Sequence, residues 1–155
     1  MAIKIKPGSQ NHQVAMAVRD EESARFCEYL DNVTLDGLES IVLQLQPVEC
    51  LFPESDAPQY KTARHVLERN NILVTMIPNK NFDKDTTLER ESVKIENLAE
   101  SPLAIECLSA IVKQLSLDIN DVLKVYKISH FNTSEFMKLD AEVLRGLHIF
   151  ESSSS

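Results

Sequence analysis

The chain has 155 residues and a formal net charge of −8. That length fits one domain, able to bury roughly 68–70% of its unfolded surface in a single core. The acidic balance argues against a nucleic-acid grip within the chain, because such grips present a basic patch to phosphates; no apolar run is long enough to span a bilayer, and no N-terminal segment has the build of a signal peptide, which sets the expectation at the cytoplasm or nucleus.

In chain order, Ala2–Lys6 alternates Ile3 and Ile5 with lysines and reads as a strand, and Pro7–Asn11 is a turn on composition. Gln13–Arg19 is apolar on both faces, with Val14, Met16 and Val18 pointing one way and Ala15 and Ala17 the other, as in a central strand. Asp20–Ser23 is a charged turn and Ala24–Leu30 a third strand, so the first three strands form an antiparallel meander. Leu35, Leu38, Ile41, Val42 and Leu45 then recur at helical spacing, with Thr34 as N-cap, Asp36 in the first turn and Pro47 as the stop. Glu49–Phe52 is a short buried strand closed by Pro53. After a loop at Glu54–Pro58, Gln59–Asn70 is helical, with Tyr60, Ala63, Val66 and Leu67 inward and Lys61, Arg64, Glu68 and Arg69 outward. Ile72–Ile77 is an unbroken apolar run, which predicts a strand covered on both faces.

Asn79–Thr87 is polar and reads as an exposed loop, and Leu88–Ala99 has weak helical periodicity. Ser101 caps and Pro102 begins a helix whose apolar stripe is Leu103, Cys107, Leu108, Ile111, Val112 and Leu115. Leu117–Val122 is acidic and irregular, exposing Ile119 between Asp118 and Asp121, and Leu123–His130 reads as one more strand. Asp140 caps a short helix through Val143, Leu144 and Leu147, and Ser152–Ser155 is low in complexity and expected to be disordered. Three meandering strands followed by alternating helices and strands imply an α/β fold with a mixed sheet and helices on both faces, the arrangement of a ribonuclease H-like three-layer fold.

The residues offer little chemistry. Two-metal phosphodiester cleavage needs converging carboxylates, and in ribonuclease H-like nucleases one sits mid-way along the first strand. Here that strand is Ala2-Ile3-Lys4-Ile5-Lys6, without an acid. Asp20, Glu28 and Glu49 lie at strand ends or far apart in sequence and read as solvated surface charges. With Gly only at positions 8, 37 and 146 there is no phosphate-cradling GxGxxG or GxxxxGK[ST] motif. Cys27, Cys50 and Cys107, and His12, His65, His130 and His148, make no metal-ligand spacing. The cysteines read as small buried apolar residues. Two surface stretches are left as candidate protein-docking edges: the two-signed segment from Asn81 to Lys94, and the acidic turn Asp118-Ile119-Asn120-Asp121.

Five segments carry a family resemblance. They are Val14–Asp20 with Arg25–Tyr29 and Asp31-Asn32; the first helix with Gln46-Pro47-Val48-Glu49-Cys50-Leu51-Phe52-Pro53-Glu54; Val66–Thr75; Leu108–Leu115; and Phe136-Met137-Lys138-Leu139-Asp140 with Val143, Leu144, Arg145 and Leu147. In this order and spacing the chain resembles the connector domain of MutS-family DNA mismatch-repair proteins, most closely the eukaryotic MutS homologue 2 branch.

The resemblance implies a connector domain at 1–135, the start of a lever-domain helix at 136–150 and a disordered tail at 151–155. It implies a module that couples the mismatch-binding and ATPase domains of a parent protein and docks a MutL-type partner. Aligning Phe82 and Asp85 with the family pattern assigns that docking to Glu89 and Arg90, with Asp118 in the same neighbourhood. It implies no catalysis, metal or cofactor in this segment, which lacks the Phe-x-Glu mismatch wedge and the P-loop; ATP and Mg belong to the parent. A second MutS-homologue subunit and mismatched DNA would be met through the parent's other domains, in the nucleus and away from any membrane. The competing readings are a free-standing acidic adaptor and a metal-dependent ribonuclease H-like nuclease.

Overall fold

The computed structural model describes residues 1–136. Six strands form one mixed sheet in the order β5-β4-β1-β2-β3-β6. Strands β1 (Ala2–Lys6), β2 (Asn11–Arg19) and β3 (Ser23–Asn32) make the antiparallel meander, with Ile3 opposite Met16 and Met16 opposite Cys27. Gly8 serves the first turn, because a Cβ there would collide with the carbonyl oxygen of Asn11. Strand β4 (Glu49–Pro53) joins β1 in parallel, and β5 (Leu73–Ile77) joins β4 in parallel. Helices α1 (Asp36–Leu45) and α2 (Pro58–Arg69) precede β4 and β5 and supply the chain length that crossovers need. Strand β6 (Lys127–His130) pairs in parallel with β3 at the opposite edge.

Each face of the sheet carries its own core. On one side Ile3, Ile5, Val14, Met16 and Cys27 pack with Leu38, Ile41 and Val42 of α1 and Ala63, Val66 and Leu67 of α2. On the other, Ala2, Ala15 and Ala17 face α4 (Pro102–Gln114) through Ala104, Cys107, Leu108 and Ile111. The alternation along β2 explains the difference in depth: its alanines let α4 approach closely enough for the Cys107 thiol to donate to the Ala15 carbonyl at 3.6 Å. The expected α/β architecture, with its meander and parallel crossovers, is present.

At α1 and α4 the expected side-chain caps are replaced by carboxylates from the sheet. Thr34 does not cap α1; its hydroxyl bonds Asn32 and Asp36. Leu35 instead takes a left-handed conformation (φ 59°) with its side chain fully buried. That turn brings the first amides of α1 to Asp31, which accepts from Gly37 N at 3.0 Å and Leu38 N at 2.7 Å. Ser101 occupies the N-cap position of α4, as expected, but its hydroxyl donates to the Asn97 carbonyl and makes no capping bond. Glu28 of β3 accepts from Leu103 N at 2.6 Å and Ala104 N at 3.3 Å. Glu28 is therefore a structural cap and not a solvated charge.

Four further expectations are corrected. Strand β5 is an edge strand and not a covered one, with Leu73 61% and Met76 39% exposed. The Asn79–Thr87 segment is not a free loop. It forms a 3-10 turn at Asn79–Phe82 with Phe82 buried, then starts helix α3 (Thr86–Glu91). The irregular stretch after Leu117 is helix α5 (Ile119–Val125), so β6 begins only at Lys127. Ile119 turns inward against the α4-side core, and the solvent-facing apolar residue of α5 is Val125.

Helix α6 (Thr133–Phe136) ends the described chain, with the Phe136 ring edge-on to Phe131 and its carbonyl accepting from Gln44 Nε2 at 2.6 Å. Beyond Phe136, the expected lever segment to 150, the Asp140 cap and the tail 151–155 lie outside the described residues.

Candidate partner-docking face

Helix α3 is short, so its position depends on tertiary anchors. Asp85 caps it, accepting from Thr87 N at 2.9 Å and Leu88 N at 3.1 Å. The Asp85 amide in turn donates to Ser109 Oγ on α4. Lys113 of α4 donates to the carbonyls of Lys80 and Asp83, at 3.1 and 2.9 Å. Phe82 and Leu88 are the buried pegs, and the Lys4 ammonium stands 5.6 Å from the Phe82 ring centroid. Glu89 and Arg90 are exposed on this anchored helix.

Asp118 is exposed at the start of α5 and caps it, accepting from Asn120 N at 2.8 Å. The two helices share an interior: Leu88, Ile119 and Val122 all line one apolar cavity of about 20 Å³. The three expected docking residues thus stand on two helices that close over the same pocket. Beside them a groove of about 200 Å³ runs between Glu91, Lys94 and Ile95 on one wall and Leu123, Tyr126 and Ile128 on the other. Lys94 bridges Glu91 at 3.0 Å, and Val93 and Val125 are 75% and 66% exposed. Glu91 and Lys94 belong to the two-signed segment singled out in the sequence, whereas Leu123, Tyr126 and Ile128 read there only as strand residues.

Several other polar groups are engaged in structure. Glu28 and Asp31 hold helix N-termini, and Glu39, 3% exposed, takes Arg69 at 2.6 Å and Asn70 at 2.9 Å. Glu49 accepts from Thr75 Oγ1 at 2.6 Å. Lys4, mid-way along β1, faces Glu106 at 3.8 Å. The three cysteines are buried and unbridged. Burial pushes the Cys50 thiol up to about 12 and holds Cys27 and Cys107 well above the usual thiol range, where the nucleophilic thiolate is scarce. Among the described residues no group of three or more His, Cys, Asp or Glu is placed to hold a metal, and no helix is long and apolar enough to cross a membrane. A second, open cleft of about 620 Å³ between Met1, Arg19, Val48, Gln46 and Leu115 mixes both charge signs with apolar wall.

No protein-family model matches the chain. Individual relatives do. It is 30% identical over 166 residues to the DNA mismatch repair protein Msh2 of Dictyostelium discoideum, an alignment covering all of this chain and 18% of that protein. It is 27% identical over 165 residues to the DNA mismatch repair protein spellchecker 1 of Drosophila melanogaster, covering 96% of this chain and 17% of the relative. The DNA mismatch repair protein MSH2 of Saccharomyces cerevisiae is 26% identical over 167 residues, again with 96% and 17% covered. The chain is a relative of MSH2-type MutS homologues, matched along nearly its whole length. It spans less than a fifth of the length of these relatives.

Proposed function

We propose that this chain is a MutS-family connector domain with a ribonuclease H-like fold, and that it docks a MutL-type partner through the α3–α5 face. The observation that carries the reading is the alignment: mismatch-repair relatives match 96–100% of this chain within 17–18% of their own length. The sheet order β5-β4-β1-β2-β3-β6, antiparallel at β1-β2-β3 and parallel elsewhere, supports the fold part of the proposal. The anchored α3, the α5 cap and the apolar groove between them support the docking part. In this reading the chain does no catalysis and binds no cofactor. ATP and Mg are handled by another part of the parent, mismatched DNA and a second MutS-homologue subunit are met through its other domains, and the parent works in the nucleus. Against the competing nuclease stands Lys4, a cation where the first strand would have to present a metal-binding carboxylate.

The test is a double reversal, Glu89→Arg with Arg90→Glu, measured by titration against a MutL-type protein. Both side chains are exposed, so thermal unfolding should be unchanged. Affinity should fall at least tenfold, as expected when like charges are placed across an interface. Unchanged affinity in a folded double variant removes the docking assignment.

A further inference from the structure

The two edges of the sheet are built differently. Strand β6 has four residues and carries Lys127 and His130, both exposed, which blunt an edge against further pairing. Strand β5 is Leu73-Val74-Thr75-Met76-Ile77, with no charge and no proline. Its ladder to β4 uses Leu73 N, which donates to Val48 O, and Ile77 O, which accepts from Glu54 N, both at 3.1 Å. Backbone groups alternate sides along a strand, so those of Val74 and Met76 turn away from β4 toward the open edge. Leu73 and Met76 are 61% and 39% exposed beside them.

The charge around this edge is opposite to that of the chain. Between Ala57 and Phe82 lie Lys61, Arg64, Arg69 and Lys80 against the single acid Glu68, in a chain of net charge −8. Arg69 is taken by Glu39 and Arg64 by Glu68 at 2.7 Å. Arg64 also reaches Met76 Sδ at 3.8 Å, which sets this face of α2 beside β5. Lys61 lies one turn before Arg64 on the same helix face, and both it and Lys80, just past the strand, are exposed. The acids Glu49 and Glu54 belong to the β4 side, and Glu49 is held by Thr75.

We propose that β5 is a strand-addition site that accepts an extended acidic segment of a partner protein. The segment pairs its backbone with Val74 and Met76, lays its apolar side chains along the Leu73 face, and sets its carboxylates toward Lys61 and Lys80. A second copy of this chain fits less well, because edge-to-edge pairing would set two basic flanks against each other. The site lies at the sheet edge opposite β6 and uses none of Glu89, Arg90 and Asp118, the residues proposed to meet a MutL-type partner.

The test uses the 155-residue chain, labelled for amide NMR, and two fluorescent seven-residue peptides, one alternating glutamate with valine and one alternating lysine with valine. The acidic peptide should bind, more weakly as salt rises, and shift the Val74–Met76 amides. Lys61→Glu with Lys80→Glu should weaken it at least tenfold, and Met76→Pro should abolish it. If Met76→Pro does not fold, Met76→Glu replaces it and should also lose binding. Equal binding of the two peptides, no binding of the acidic one, shifts confined to other elements, or β5 shifts that follow protein concentration without peptide would each overturn the proposal.

Discussion

At the residue scale, the decisive groups are carboxylates that the sheet lends to the helices. Asp31 is 5% exposed and accepts from the Gly37, Leu38 and Asn32 amides and from the Tyr29 hydroxyl. Burial and that acceptor push the Tyr29 phenol well above its usual value. An ionised acceptor with several donors contributes more than an ordinary cap. Asp31→Ala should therefore lower stability by about 2–3 kcal/mol in urea unfolding, since it orphans the first amides of α1 beneath a buried Leu35. A loss below about 0.5 kcal/mol would show that water replaces the carboxylate. Neither this cap nor the Glu28 cap on α4 was legible in the sequence. For capping, the local sequence points to Thr34 and Ser101, just before each helix. The groups that do it lie four or more residues upstream for α1 and 75 residues upstream for α4.

At the element scale, the segment from Asn79 to Glu91 shows how a polar stretch becomes ordered. Its composition is that of a loop, and propensity alone would leave it so. One aromatic peg at Phe82, 1% exposed, and the Ser109 and Lys113 hydrogen bonds from α4 decide otherwise. Phe82→Ala should cost about 3–4 kcal/mol and speed amide exchange through α3 more than through α1. Uniform acceleration across both helices would mean that the peg supports the whole core and not this segment. The misreadings of α5 and β5 have a related cause. Ile119-Asn120-Asp121-Val122 is too short to show a helical period, and an unbroken apolar run such as Ile72–Ile77 looks the same whether the strand ends up central or at an edge.

At the scale of the whole molecule, two cores share one sheet, so neither should unfold alone. β2 sends Val14 and Met16 into one core and Ala15 and Ala17 into the other, which couples them through a single backbone. Ile41→Ala on the α1 side and Leu108→Ala on the α4 side should each cost about 2–5 kcal/mol. Both should shift one common transition, seen alike by far-ultraviolet circular dichroism and by hydrogen exchange. A biphasic curve in either variant would show that the layers are separable, and the face carrying Glu89, Arg90 and Asp118 would then need a new account of its rigidity.

The sequence by itself determined the element order from β1 to β5, the meander, the parallel crossovers and the inward faces of α1, α2 and α4, because each rests on local periodicity and on turn and proline chemistry read over a few residues. It also carried the MutS-family resemblance, since ordered motifs survive in the residues themselves. Only the tertiary structure decided which carboxylates cap which helices, that Phe82 and Leu88 are pegs, that β5 is an open edge, and that Leu88 of α3 meets Ile119 and Val122 of α5 around one cavity. Each of those depends on groups distant in the chain meeting across the sheet, and no local pattern encodes which ones meet.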